Sequence, residues 1–156
     1  MKFTHLDSAG QARMVDVTDK QPTKRAATAS ATVVCDPEIL KRIASGEMPK
    51  GDVLAVARIA GIAAAKRTPE LLPLAHVIRV HGAAVDLTLG PESIEVVATV
   101  RTADRTGVEM EALTAASVAA LALIDMVKGL DRHAHIREVK LLAKEGGRSG
   151  SWRRDA

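Results

Sequence analysis

Asp125 closes a run of thirteen uncharged positions, Ala112 to Ile124, and Lys128 follows three residues later. On a helix the two side chains leave nearly the same face, so a carboxylate and an ammonium can meet there. Two accounts fit this spacing. One is a simple ion pair near a helix C-terminus, where a lysine also suits the helix dipole. The other is an acid–lysine pair doing general acid–base work. Position alone does not choose between them.

Glu111 enters the same apolar run from its other end and has no local partner. A carboxylate carried into apolar surroundings without a partner is costly, which makes Glu111 a functional candidate. Glu109 has a structural explanation, because Thr106 three positions earlier completes a capping box. The two glutamates project about 200° apart on a helix, which argues against a shared site. Glu111 and Asp125 lie fourteen residues apart, on roughly one face but about 21 Å apart along the axis. One small ligand can touch both only if they come from different subunits.

Lys50 and Gly51 stand just before Asp52, a candidate N-cap. Unpaired N–H groups at a helix start, a lysine and a flexible glycine make an anion seat, although the same residues also make an ordinary solvated turn. His76, between apolar neighbours, could hydrogen-bond a ligand or relay a proton, or simply be a satisfied loop residue. His5, His81, His133 and His135 form no metal-ligand pattern, and no dedicated metal site is expected. Near the C-terminus Lys144 and Arg148 accompany Gly146, Gly147, Ser149 and Gly150, a segment able to close over phosphates or to fray.

The elements that must position these groups follow from pattern and punctuation. Residues 1–24 are polar and turn-rich apart from Met14, Val15 and Val17, and read as an arm with one short ordered piece. A strand with one buried face is expected from Arg25 to Val34, with Ala27, Ala29, Ala31 and Val33 on one side and Thr28, Ser30 and Thr32 on the other. Asp36 and Pro37 start a short helix that Gly46 ends. Asp52 opens a helix to Arg67 whose only charge between Val53 and Ala65 is Arg58; so apolar a helix must lie under other elements or against another subunit. Two strands joined at Gly90 and Pro91 follow, then a helix from Thr106 to about Lys128 and a strand from His135 to Ala143.

The resulting order is strand, helix, strand, strand, helix, strand. It predicts an α+β, ferredoxin-like antiparallel sheet with two long helices on one face plus a short extra helix. Residues 25–145 form the single domain, between the arm and a flexible glycine-rich tail at 146–156. The chain has 156 residues, 47% of them hydrophobic, and its aromatics are only Phe3 and Trp152, so the core must be aliphatic. Such a core gains from further burial in a homo-oligomer. A net charge of +3 with pI ≈ 9.2 suits a phosphate-bearing small ligand and is weak for nucleic acid, which wants a basic stripe with stacking aromatics. A single cysteine, Cys35, excludes an internal disulfide. With no leader pattern and no uncharged run long enough to cross a bilayer, a cytosolic protein with no membrane partner is expected.

Taken together, Met14 to Val17 (MVDV), Lys50 to Val53 (KGDV), Ala57 to Lys66 (ARIAGIAAAK), Thr106 to Ser117 (TGVEMEALTAAS), Asp125 to Lys128 (DMVK) and Leu141 to Lys144 with the glycine tail resemble the cyclic pyranopterin monophosphate synthase family of molybdenum cofactor biosynthesis over almost the whole chain. The resemblance implies a ferredoxin-like domain in homohexamers, as trimers of dimers with the active site at the dimer interface. It implies a lyase that converts 3′,8-cyclo-7,8-dihydroguanosine triphosphate to cyclic pyranopterin monophosphate and diphosphate. It makes Asp125 the active-site aspartate and Lys50 and Lys128 essential lysines. Leu74, Ala75 and His76 become one substrate-binding segment, Met110 and Glu111 another, and Arg25 and Lys144 become holders of the triphosphate. The family usually has Leu-Cys-His-Pro around the histidine. Here Ala75 and Val77 replace the cysteine and proline, losing a weak donor and freeing the backbone after His76.

On this reading the basic groups hold the triphosphate and Glu111 with His76 fixes the guanine-derived ring. Lys128, paired to Asp125, and Lys50 shuttle protons. Closing the cyclic phosphate then needs neutralised charge and in-line placement rather than a protein nucleophile. No cofactor is required; magnesium could accompany the triphosphate. The rival readings are a non-catalytic nucleotide-binding module on the same fold and a nucleic-acid-binding domain using Arg148, Arg153 and Arg154.

Overall fold

A computed structural model describes residues 6–155; Phe3 and His5 lie outside them. Strand β1 (Thr23–Val34) is followed by helices α1 (Pro37–Ser45), α2 (Val53–Lys66) and the single turn α3 (Thr68–Leu71). Strands β2 (Gly82–Leu89) and β3 (Ser93–Asp104), helix α4 (Glu109–Val127), β4 (His135–Glu145) and a two-residue β5 (Trp152–Arg153) complete the chain. The sheet order is β2-β3-β1-β4-β5 and every neighbouring pair is antiparallel. Its first four strands are the expected ferredoxin-like sheet. Two pieces escaped the sequence, α3 and β5; each is four residues or fewer, too short to show a period.

Pattern explains most of the elements. In α1 the Asp36 carboxylate accepts the Glu38 N–H, proline occupies the first turn, and Gly46 ends the helix at φ 74°. In α2 the Asp52 carboxylate accepts the Ala55 N–H. Ala27, Ala29, Ala31 and Val33 of β1 face the helices beside Val100, Ala98, Val96 and Ile94 of β3. The opposite side of β1 is not open to water as expected, because Ser30 and Thr32 are buried too. β1 is the central strand, covered by β3 on one side and β4 on the other, so long neighbours such as Glu95, which accepts the Thr32 hydroxyl, roof over its small residues.

Helix α4 packs across β1, β3 and β4, and α2 packs on β2 and α4. The middle of the buried stripe of α4 is alanine: Ala112, Ala115, Ala116, Ala119 and Ala120. Small side chains let α2 come close, and at Gly61 a β-carbon would sit 2.9 Å from the Ala115 carbonyl oxygen. The core is aliphatic throughout. By length and composition α4 would suffice to cross a membrane, yet half of that stretch is buried inside the fold.

Candidate functional site

The start of α4 differs from the capping box the sequence suggests. Val108, not Thr106, occupies the N-cap, and no side chain caps the helix. Val108 is fully buried, so core packing fixes the entry of the chain. Glu109 folds back instead over Gly107, where any β-carbon would collide with its carboxylate. Its Oε1 lies 3.3 Å from the Lys144 ammonium.

That uncapped end opens into a cleft of ≈ 420 Å³. Leu74, Ala75 and His76 form one wall, Met110 and Glu111 the other, so the two predicted substrate-binding segments do face one another. Glu109 lines the same cleft, contrary to the expectation that it and Glu111 could not share a site. The angle of 200° separates them only for a ligand lying along the side of the helix. This cleft lies over the helix end, where both point in. Further walls come from Val15, Val17, Lys20, Thr106 and Gly107, none of which the sequence marks as a binding residue. Val15 and Val17 were visible only as apolar residues in a polar arm; nothing in the sequence signalled Lys20.

Glu111 is 4% exposed. Burial pushes its carboxyl up to about 7; its own backbone N–H opposes the shift and the charge on Glu109 adds to it. His76 Nε2 lies 2.6 Å from the Val15 carbonyl oxygen. A carbonyl only accepts, so Nε2 carries the hydrogen and Nδ1 is left for a ligand. This bond ties the arm to the 72–81 segment. It holds the ring although Val77, in place of proline, is 89% exposed.

The basic groups split into two sets. Arg25 borders a second cleft of ≈ 850 Å³ with Lys20, Gly147, Arg148 and Ser149, and Lys20 also borders the first. Arg25 donates to the carbonyls of Asp104 (3.2 Å) and Arg105 (3.3 Å). Gly147, at φ 75°, passes so close to its guanidinium that a β-carbon would overlap it. Lys144 spans the two clefts, meeting Glu109 on one side and the Ser149 hydroxyl at 3.0 Å on the other.

Lys50 does not join that set. The N-terminus of α2, read above as its anion seat, is already occupied by the Asp52 carboxylate. The Lys50 ammonium reaches the other end of α4 and donates to the Asp125 carbonyl at 2.7 Å. There Lys128 pairs with the Asp125 carboxylate, both about 60% exposed. The Lys128 contact, with the Lys50 charge behind it, holds the Asp125 carboxyl below its ordinary range. The predicted residues thus form two groups at opposite ends of one helix. Among the described residues no cluster of histidine, cysteine or acid side chains is built to hold a metal.

A ferredoxin-like α+β domain with a buried acid in a small-molecule cleft, a basic second cleft beside it and an exposed acid–lysine cluster is built as an enzyme for a charged small molecule. The chain belongs to the MoaC family, whose model matches residues 14–147. It is 57% identical over 99% of its length to a protein of Geobacter metallireducens and 98% of that relative, 56% identical to one of Chloroflexus aurantiacus (98% and 95%), and 54% identical to one of Streptomyces avermitilis (98% and 90%). Each of these relatives is named cyclic pyranopterin monophosphate synthase.

Proposed function

We propose that the chain is a cyclic pyranopterin monophosphate synthase whose working site is shared between two subunits. The enzyme is a lyase of molybdenum cofactor biosynthesis, and its substrate is a small guanosine-derived molecule, 3′,8-cyclo-7,8-dihydroguanosine triphosphate. One observation carries the shared site: Glu111 and Asp125 sit at opposite ends of α4, about 21 Å apart along its axis. The α4 start of one subunit meets the α4 end of its neighbour. Apolar side chains left in water support such a contact, among them Val56 and Ile59 of α2, Leu121 of α4, and Leu74 and Met110 beside the cleft. A cytosolic homohexamer built as a trimer of dimers is the assembly this reading expects.

Glu111, its carboxyl raised by burial, and His76 through Nδ1 hold the guanine-derived ring, with Met110, Leu74 and Ala75 against its faces. Arg25 and Lys144 take the triphosphate, and Lys144 leaves Glu109 to do so. Magnesium, where it accompanies the triphosphate, adds charge neutralisation. Lys128 and Lys50, gathered around Asp125, move the protons that ring opening and rebuilding require. Attack of a ribose-derived oxygen on the α-phosphorus closes the cyclic phosphate and expels diphosphate, helped by placement and neutralised charge.

Complementation tests the shared site. Glu111→Ala and Lys128→Ala, each expected to be inactive alone, are co-expressed. A mixed dimer places both changes in one site and leaves the other intact. Random pairing then restores about a quarter of wild-type turnover of the cyclised nucleotide. Mixtures no more active than the parents place the whole site in one chain, and binding without turnover by the wild type leaves a nucleotide-binding module.

A further inference from the structure

Asp131 is 8% exposed, borders neither cleft and has no part in the reading above. Its Oδ2 accepts the backbone N–H of Asp36 at 2.8 Å. Its Oδ1 accepts those of His133 at 2.9 Å and Ala134 at 3.1 Å. Burial and the neighbouring Asp131 carboxylate push the Cys35 thiol up to about 12. The Asp36 N–H is the first cause holding the Asp131 carboxyl below its ordinary range. Three backbone donors from two separate stretches of chain converge on one buried side chain.

The location gives this convergence a consequence. The β1–β4 ladder ends at the pair Val34 and His135, and beyond it the two backbones have no strand partners. Asp131 supplies the acceptors there. It lies three residues past Lys128, and the chain between them is turned back by the Leu130 and Asp131 N–H groups on the Val127 carbonyl. On the other side Asp36 opens α1, which leads through Gly46 and the buried Met48 to Lys50. The Lys50 ammonium then returns to the Asp125 carbonyl. The path from Lys128 through Asp131, Asp36 and α1 to Lys50 is therefore a closed loop, and the Asp131–Asp36 bond is its cross-link between elements.

We propose that Asp131 is a positioning residue, whose bond to the Asp36 N–H sets where Lys50 stands relative to Asp125 and Lys128. The inference rests on those three residues being the proton-moving group. A displacement of about 1 Å at such a group costs on the order of 100-fold in rate. The effect falls on kcat, because none of the residues assigned to hold the ring or the triphosphate lies on this loop.

Asp131→Ser separates this role from general stability. A serine hydroxyl still serves the local turn to His133 and Ala134 but is too short to reach Asp36. Asp131→Asn keeps the size and loses the charge. In the full-length assembly, both variants are expected to lose about 10- to 100-fold in kcat, with KM within about threefold and a cooperative melt well above the assay temperature. A folded variant with kcat within twofold of wild type overturns the proposal, as does a loss confined to KM. Failure of both variants to fold assigns Asp131 to the fold alone and also overturns it. Lys128→Ala, assayed beside them, separates the two levels of argument: if it is inactive while Asp131→Ser is fully active, only this inference falls; if it is active, the proton-moving assignment falls first.

Discussion

The two ends of α4 solve opposite problems. At its start a carboxylate is buried, has no cation paired with it among the described residues, and is pushed toward neutrality by its surroundings. At its end a carboxylate is open to water, held ionised by Lys128 and Lys50, and free of any enclosing wall. On the proposed reading the first arrangement recognises a polar ring by desolvating it, and the second exchanges protons while staying charged. A helix gives both from one chain only by separating them, and the proposed shared site is what would bring them together again. Exposure of the Asp125–Lys128 pair in the monomer is thus informative. Exposed ion pairs contribute little to stability, so this one has to be explained by what it meets.

The largest expected effect breaks the comparison at its reactive end. Asp125→Ala and Lys128→Ala should each lower kcat by about 1000-fold or more, the upper range for a lost acid–base group. Their melting midpoints should stay within about 2 °C of wild type, because an exposed pair stabilises little. Turnover assays beside thermal melts check both halves. Near-normal turnover in either variant would return the pair to a plain helix-end ion pair.

A smaller effect belongs to the basic cleft beside the buried end. Gly147→Ala puts a β-carbon against the Arg25 guanidinium, at a φ of 75° that alanine adopts poorly. Loss of one charge-assisted contact to phosphate should raise KM for the triphosphate about tenfold with kcat nearly unchanged. Equal KM values for Gly147→Ala and wild type would remove Arg25 and the tail from phosphate binding.

The sequence made the architecture legible because it is written in periods and punctuation: alternation in β1, capping aspartates before α1 and α2, a long apolar run in α4. Asp125 and Lys128 were legible as a pair for the same reason, since three positions on a helix fix adjacency. Glu111 stood out through its lack of any partner. What could not be read was contact between segments distant in sequence. Lys50 looked like part of an anion seat at α2 because the nearest helix start was the only neighbour visible, whereas it reaches 75 residues along the chain to Asp125. Glu109 seemed explained by Thr106 until the fold put Lys144 within reach and Val108 in the core. Asp131 offered at most a local turn to His133 and Ala134, because its partner Asp36 lies 95 residues away in sequence.

The smallest expected effect sharpens the contrast through pH. Unfolded, the Glu111 carboxyl titrates near 4.5; folded, it is raised to about 7. Below pH 4.5 both states hold the proton and the group is neutral to stability. Between 4.5 and about 7 the unfolded chain has already ionised while the folded one resists, so stability falls as pH rises, and above about 7 the loss is complete. Glu111→Gln has no proton to lose and should escape this decline, melting roughly 5 °C or more above wild type at pH 8 and close to it at pH 4.5, at matched protein concentration. Asp125→Asn should show no such gain at pH 8, since its carboxylate is in water and held by cations. Parallel pH curves for wild type and Glu111→Gln would mean that the Glu111 carboxyl is not raised in the assembly, and the buried end of α4 would then be as charged as the exposed one.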